Sequence, residues 1–371
     1  MKLVISTDCF LPRWDGIARF LSELMPYLKD WEVTIFAPDF DGEVVLPKNV
    51  SLLRFPLVKM RFGDIYFCKP DKKVMRDVIC KADVVFNQTI GPVGAAAIKL
   101  AKKCRKPVVS FVHSVEWTLV SLAVKRFKWL AGWFVKCRAR SLYNKCSALI
   151  VPSHEVEDLL AHNKIHTKMK VIHLGVDVSR FTPTHSKAVP KRKLQIPHDS
   201  LVVGFCGRIA REKDLPTLVE AFAKARKKFD NAVLLIVGEG LENEIPASKN
   251  IIRAGRQDYV VPYLQAMDVF VLPSLTETSS LATMEAMSCG LPVVVTPVGN
   301  LREYIEDGVN GFFFPRSDPD KLADCLVRLL ANERLRIKVG SAARKTIVDG
   351  YSWQNSAENI KRVLKNTARF G

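Results

Sequence analysis

Short runs that are apolar at nearly every position alternate along this chain with longer stretches in which apolar residues recur at helical spacing. In the first half the apolar runs are Lys2–Thr7, Glu32–Pro38, Asp83–Asn87, Pro107–His113, Ala148–Ser153 and Lys170–Gly175. Helical periodicity between them predicts helices over about Ile17–Leu28, Val93–Lys103, Trp117–Asn144 and His154–Leu160. Strands that are apolar throughout need cover on both faces, and a parallel sheet between two helix layers supplies it.

The alternation stops at Phe181–Ser200, which is polar, basic and punctuated by Pro183, Pro190 and Pro197. This composition predicts a boundary loop. A second alternation follows, with strands expected at Leu201–Gly207, Ala232–Gly238, Asp268–Ser274, Pro292–Pro297 and Gly311–Pro315. The chain is therefore α/β, with a parallel-sheet domain over residues 1–180, a linker over 181–200 and a second such domain over 201–352. A last helix, about 353–369, packs locally or crosses back to the first domain. Open α/β sheets bind ligands beyond the carboxyl ends of their strands, so two of them are expected to face a central cleft.

Composition narrows the partners. Of 371 residues, 48% are hydrophobic and 25% charged, enough for two cores. The 56 Lys and Arg against 38 Asp and Glu leave a net charge of +18, which favours a polyanionic partner: nucleic acid, anionic lipid or a diphosphate substrate. No run of 18 apolar residues is present to span a bilayer, and the opening residues read as a first strand rather than a signal peptide. The nine cysteines show no C-x-x-C spacing, which predicts reduced, buried thiols and a cytoplasmic protein.

Candidate chemistry gathers in the second half. The strand ending at Gly207 is followed by Arg208, Lys213 and a helix near Leu215, with Asp214 placed as its N-cap. Gly207 admits close backbone approach, Arg208 can fork onto phosphate oxygens, and Lys213 adds a point charge. The same basic pair would also suit a solvated surface. Further on, a polar turn after Pro273 leads into a helix from about Ser280, whose free amides suit phosphate or sugar oxygens. Glu277 on the turn and Glu285 inside the helix lie eight positions apart and can face one ligand from different sides. Carboxylates accept from hydroxyls such as those of ribose, although local capping or salt-bridging would serve equally well.

The stretch from Glu277 to Glu285 resembles the E-x7-E pattern of the retaining GT-B-fold glycosyltransferases of family 4. "GRIAREKDLPTLVEAF", "VGEG", "AMDVFVLPS", "EAMSCGLPVVVTPVGNLREYIEDGVNGFFF" and, earlier, "VIHLGVD" are similar to the same family. The resemblance covers essentially the whole chain. It implies two Rossmann-like domains, with a nucleotide-diphosphate sugar bound mainly by the second. Arg208 and Lys213 would hold the donor diphosphate and steady the leaving group. Glu285 would bind the ribose hydroxyls. Glu277 would contact the donor sugar, together with backbone amides of Thr278, Ser279, Ser280 and Leu281. Ser279 and Ser280 stand where relatives usually carry a bulky residue and glycine.

In the first domain, Gly16 resembles the family's close-approach glycine near the donor diphosphate, with Asp15 in place of a first glycine. The alternative is a surface turn. His113 ends a strand at the edge facing the expected cleft; the resemblance implies that it orients the transferred sugar. The family's same-face attack uses the donor phosphate to deprotonate the acceptor, which removes the need for a carboxylate nucleophile. No metal and no other cofactor are expected: Arg208 and Lys213 supply the charge, and Asp39–Asp41 ("DFD") reads as a polar loop.

Between Trp117 and Cys146, cations Lys125, Arg126, Lys128, Lys136, Arg138, Arg140 and Lys145 interleave with Phe127, Trp129, Trp133 and Phe134. This is a core-packed helix with a wet basic face, or a helix that lies on anionic lipid and presents a glycan or lipid-linked acceptor. "KKCRK" and "KRK", at Lys102–Lys106 and Lys191–Lys193, fit the second picture. The sequence thus points to a hexosyltransferase using a UDP- or GDP-sugar, peripheral at the cytoplasmic face of a membrane. Rival classes are a nucleotide-sugar epimerase of the same overall fold, and a basic nucleic-acid-binding protein, for which no zinc-finger or RNP-like motif is present.

Overall fold

Valine, isoleucine and phenylalanine fill both faces of the central strands, and the chain builds two parallel sheets from them. The computed structural model describes residues 1–13, 15–62, 65–123, 128–241, 245–277 and 279–370. It divides into two compact units, Met1–His173 with Ser356–Gly371, and Leu174–Asn355.

The first unit runs β1 (Lys2–Ser6), α1 (Gly16–Leu24), β2 (Glu32–Pro38), β3 (Val50–Phe55), β4 (Leu57–Phe62), β5 (Ile65–Cys68), α2 (Lys72–Ile79), β6 (Val84–Asn87), α3 (Pro92–Lys103), β7 (Val108–Phe111), α4 (Glu116–Ala123), α5 (Lys128–Tyr143), β8 (Ala148–Val151), α6 (His154–His162) and β9 (Met169–Val171). Its seven-stranded parallel sheet has the order β3-β2-β1-β6-β7-β8-β9, and β4 and β5 pair separately as an antiparallel ribbon. The order reverses between β1 and β6, where loops after neighbouring strands leave in opposite directions and open a crevice.

The second unit carries α7 (Ala188–Lys193), β10 (Leu201–Cys206), α8 (Leu215–Arg226), β11 (Ala232–Val237), β12 (Ile251–Gly255), α9 (Val261–Ala266), β13 (Val269–Leu272), α10 (Leu281–Ser288), β14 (Val293–Val295), α11 (Leu301–Tyr304), β15 (Phe312–Phe313), α12 (Pro319–Ala331) and α13 (Glu333–Gly350). Its sheet order, β12-β11-β10-β13-β14-β15, reverses between β10 and β13. Helix α8 shows why the sequence folds this way. Leu215, Leu218, Ala221, Phe222 and Ala225 recur at helical spacing and are buried, and a proline sits in its first turn, where no N–H is needed. The last helix, α14 (Trp353–Phe370), starts in the second unit; from Ser356 it belongs to the first, where the Ser356 hydroxyl donates to the His173 carbonyl across 2.7 Å.

Three expectations are corrected. Phe181–Ser200 lies within the second unit rather than between the two: Phe181 is buried in that core, and Pro190 to Lys193 belong to α7. Lys191 is buried there because its ammonium donates to the Ser200 carbonyl at 2.7 Å and to Asp268 at 2.9 Å. The single helix read over Trp117–Asn144 is described as α4 and α5, with residues 124–127 outside the described set. Cys80 and Cys104, expected as reduced thiols, form a disulfide, because α2 and α3 end side by side with these two Cα atoms 5.3 Å apart. No described helix is long and apolar enough to cross a membrane.

Candidate functional site

The loops after β10 and β13 meet at the order reversal of the second sheet, and they carry most of the residues singled out above. β10 ends at Cys206 and the chain turns at Gly207, whose φ of +153° suits glycine. A Cβ there would stop 3.3 Å from the Phe205 ring, so backbone conformation selects glycine at this turn. The turn is then tied on two sides. Ile209 donates to the Glu239 carbonyl across 2.8 Å and accepts from Leu241 across 2.8 Å, which fastens it to the loop after β11. Leu275 donates to the Glu212 carbonyl across 2.8 Å, which fastens it to the loop after β13.

Side chains complete the junction. Lys213 donates to Glu277 Oε1, and the Ser274 hydroxyl donates to the same oxygen at 2.8 Å. Arg208 remains 55% exposed and donates to Glu212 Oε1 at 2.5 Å. Asp214 stands at the start of α8 in a left-handed conformation, and its carboxylate takes the hydroxyls of Thr217 and Ser317 instead of capping helix amides. That is a correction to its reading as a capping residue.

α10 starts where expected. Ser280 caps it, accepting weakly from the Thr283 amide, with the two hydroxyl oxygens 2.8 Å apart. Leu281 is its first residue, and Glu285 is buried on it at 1% exposure. Ser279 Oγ is buried without a hydrogen-bond partner. Thr278 lies outside the described residues.

Gly16 and His113 belong to the first unit. Asp15 caps α1 by accepting from the Ile17 and Ala18 amides at 3.0 and 2.9 Å, so this aspartate has a structural task. A Cβ on Gly16 would meet nothing within 4 Å, so protein packing does not require glycine there. His113 stacks on Phe111 with ring centroids 4.4 Å apart and meets the edge of Phe20, on α1, at 4.8 Å. Its Nε2 lies 2.9 Å from Gln88 Oε1, which places the ring proton on that nitrogen. Desolvation lowers the imidazole to about 3, so it is neutral near pH 7.

Four residues escaped the sequence reading. Asp8, beyond β1, accepts from the Val93 and Gly94 amides at 2.8 and 3.3 Å and from Thr89, closing the N-terminus of α3; burial raises its carboxyl. Glu116, close after His113, accepts from the Tyr143 hydroxyl at 2.6 Å, and desolvation pushes it up to about 7. Gly299 has φ +55°, and its missing side chain leaves room for the Glu277 carbonyl, which an added Cβ would approach to 2.2 Å. Asn300, beside it, is 0% exposed with both amide atoms unpartnered. Only the Gly-Asn pair carried a sequence signal, and it reads as an ordinary turn.

In the Asp39–Asp41 loop, the Asp39 carboxylate sits 3.4 Å from Arg54 Nη1, and Arg54 also donates to the Gly42 carbonyl. On α5, Trp129, Trp133 and Phe134 are 75%, 59% and 65% exposed, large for aromatic residues on one helix. Lys125, Arg126 and Phe127 lie outside the described residues.

A family model described as Glycosyltransferase Family 4 matches residues 14–180, and one described as Glycosyl transferases group 1 matches residues 200–332. The alpha-monoglucosyldiacylglycerol synthase of Acholeplasma laidlawii is 28% identical over 367 residues, covering 90% of this chain and 89% of its own. The GDP-mannose-dependent monoacylated alpha-(1-6)-phosphatidylinositol monomannoside mannosyltransferase of Corynebacterium glutamicum is 28% identical and covers 99% of both chains. HepE of Anabaena, solved in complex with UDP and glucose, shares the fold at a TM-score of 0.79 and 18% identity, over 98% of this chain and 99% of that one.

Proposed function

The chain belongs to the family 4, group 1 glycosyltransferases and carries their GT-B fold, and from that premise we propose a retaining, metal-independent hexosyltransferase. It takes a UDP- or GDP-linked sugar as donor and a lipid-linked or envelope glycan as acceptor, at an anionic membrane surface on the cytoplasmic side. The observation that carries this reading is the joining of the Gly207–Lys213 turn to the Glu277 loop through Lys213 and Glu277. One junction gathers a guanidinium, an ammonium, a carboxylate and the start of α10.

In this reading Arg208 and Lys213 hold the donor diphosphate, and their charge-assisted contacts strengthen as the leaving group gains negative charge. Glu277 and the amides of Thr278, Ser279, Ser280 and Leu281 hold the donor sugar, with the unpartnered Ser279 hydroxyl available to it. Glu285 takes the ribose hydroxyls, while Gly207 and Gly16 let the backbone come close to the diphosphate. His113, neutral and held by Gln88, orients the transferred sugar. The bond from sugar C1 to the diphosphate oxygen breaks as the bond to the acceptor oxygen forms on the same face. The acceptor proton passes to the departing phosphate.

The relatives' donors and acceptors support the substrate class. HepE is bound to UDP and glucose, and the Corynebacterium enzyme uses GDP-mannose on a phosphatidylinositol mannoside. Scanning UDP-, GDP- and ADP-sugars by saturation-transfer NMR tests the donor, and the anomeric coupling of the product tests retention. Failure of every nucleotide sugar to bind, or an inverted product, overturns the reading.

A further inference from the structure

On the first unit, an open cavity of about 230 Å³ lies between α5 and the end of α6, lined in part by the basic aromatic helix singled out above. Trp133, Lys136 and Arg140 line it from α5; His162, Asn163 and Lys164 line it from α6 and the residue positions just beyond. We propose that this cavity is a binding site for a phosphate ester, filled by the phosphate of an anionic lipid headgroup. The proposal rests on the membrane reading only for that lipid source.

Positions 133, 136 and 140 fall on one stripe of α5 at helical spacing, so Lys136 and Arg140 project to the same side as Trp133. No acid lines the cavity, and among the described residues no carboxylate pairs with Lys136, Arg140 or Lys164. Like charges gathered this way repel in the folded chain, and an anion removes the repulsion.

Favourable contact with helix ends is the competing explanation, since cations suit the last turn of a helix. It accounts for Arg140, in the last turn of α5, but not for the cations at 136 and 164. Lys136 sits in the middle of α5. The last carbonyls of α6 already have donors: His162 Nδ1 to Asp158 at 2.8 Å, Asn163 Nδ2 to Leu159 at 2.6 Å, Ile165 to Leu160 at 3.1 Å and Lys164 to Ala161 at 3.0 Å. The two backbone bonds form the motif that normally recruits glycine at the left-handed position, yet Lys164 occupies it with φ +61°. Arg105 and Gln195 occupy the same left-handed position after their own helices, so what sets Lys164 apart is that it lines the cavity.

The wall is also fixed in place. Asn144, just beyond α5, donates to the Lys164 carbonyl at 3.0 Å and accepts from the His166 amide at 2.8 Å. Trp133 is at the same time an exposed aromatic residue and a wall of the cavity. An indole settles at headgroup depth, which is where a lipid carries its phosphate.

The test uses the full chain, with inorganic phosphate and glycerol 1-phosphate as soluble probes and phosphatidylcholine vesicles with or without phosphatidylglycerol. The indole N–H resonance of Trp133, assigned through Trp133→Phe, reports the cavity directly. One variant combines Lys136→Gln with Lys164→Gly, which suits the positive φ; a control combines Lys102→Gln with Lys103→Gln, removing equal charge at the end of α3. Expected results are a saturable shift of Trp133 by the soluble esters, its loss in the cavity variant, and vesicle affinity lowered at least fivefold more there than in the control. A saturable shift with no selective loss of vesicle binding, or with no vesicle binding at all, keeps the site and makes a soluble phosphate its source. No shift of Trp133 by either ester, with both variants weakening vesicle binding equally, overturns the site.

Discussion

The Lys213 ammonium donates to the Glu277 carboxylate across 64 positions of sequence, and Ser274 donates to the same oxygen from 2.8 Å. Two motifs that look independent in the chain are thus one electrostatic unit. Arg208→Ala and Lys213→Ala are each expected to lower turnover about 100-fold, the scale for losing one donor to a developing charge. Calorimetry with the product nucleoside diphosphate should show weaker binding in both. Lys213→Ala also strands a mostly buried carboxylate, so it should destabilise the fold more than Arg208→Ala. Lys213→Met with Glu277→Gln should restore the melting temperature without restoring activity.

Lys191 and Asp268 fasten α7 to the central sheet from inside the core. Burial by itself raises Asp268, but Lys187, Lys191 and the Val202 amide outweigh it and hold the carboxyl below its ordinary value. Lys191→Met removes one partner of a buried pair and should cost about 3–5 kcal/mol. A carboxyl depressed in the folded state contributes stability that is present above its unfolded value near 3.8 and lost as pH falls through the folded one. Acid titration of the melting temperature should therefore show a shallower loss in Asp268→Asn, measured against its own value at pH 7.

His113 and Glu116 shift stability in opposite directions over overlapping pH ranges. Desolvation lowers His113 from 6.5 to about 3, so its contribution is present above 6.5 and is lost as pH falls toward 3. Desolvation raises Glu116 from 4.5 to about 7, so its contribution is present below 4.5 and is lost as pH rises through 7. His113→Gln should flatten the acid limb of a stability-versus-pH curve, and Glu116→Gln the limb between 4.5 and 7. The rate profile of the unaltered enzyme should carry no limb from His113 between pH 5 and 8. A limb in that range that vanishes in His113→Gln would refute a neutral orienting imidazole.

Parallel strands were legible because burial on both faces leaves a continuous apolar run, as at Val84–Asn87 and Val269–Leu272. Two edge strands were not: Val50–Phe55 and Ile251–Gly255 are half-buried and carry Arg54 and Arg253, so their pattern is mixed. The junction of Lys213 with Glu277 was legible as two motifs, whereas its bond is a product of adjacent strand ends. Asp8 and Gly299 were illegible for the same reason, since each matters through a partner far away in sequence. Cys80 and Cys104 could be paired only once α2 and α3 were placed.

In the proposed transfer Arg208 and Lys213 would supply the charge compensation that a divalent ion otherwise provides. Activity should survive chelation by EDTA, and Asp39→Ala should change the rate by no more than about twofold, since its contact is an exposed pair with Arg54. Loss of transfer in EDTA with recovery on adding Mg²⁺ or Mn²⁺ would reverse this conclusion.

Membrane association is the prediction with the widest reach, because it decides where the acceptor is met. The span Lys125–Lys145 holds seven cations and no acid, and its described part turns Trp129, Trp133 and Phe134 outward. Each basic residue near an anionic surface contributes about 1 kcal/mol, and salt at molar strength shortens the reach of that attraction to about 3 Å. Reversible binding to anionic but not zwitterionic vesicles is therefore expected, with loss in molar NaCl. Changing Lys125, Arg126 and Lys128 together to Glu should weaken it through charge; Trp129→Ser with Trp133→Ser should weaken it with less change in salt dependence. Nucleic acid would share the response to salt, so co-sedimentation is run with competing duplex DNA present. Displacement by the DNA would assign the basic helix to nucleic acid, and binding to neither kind of vesicle would leave a soluble acceptor as the substrate.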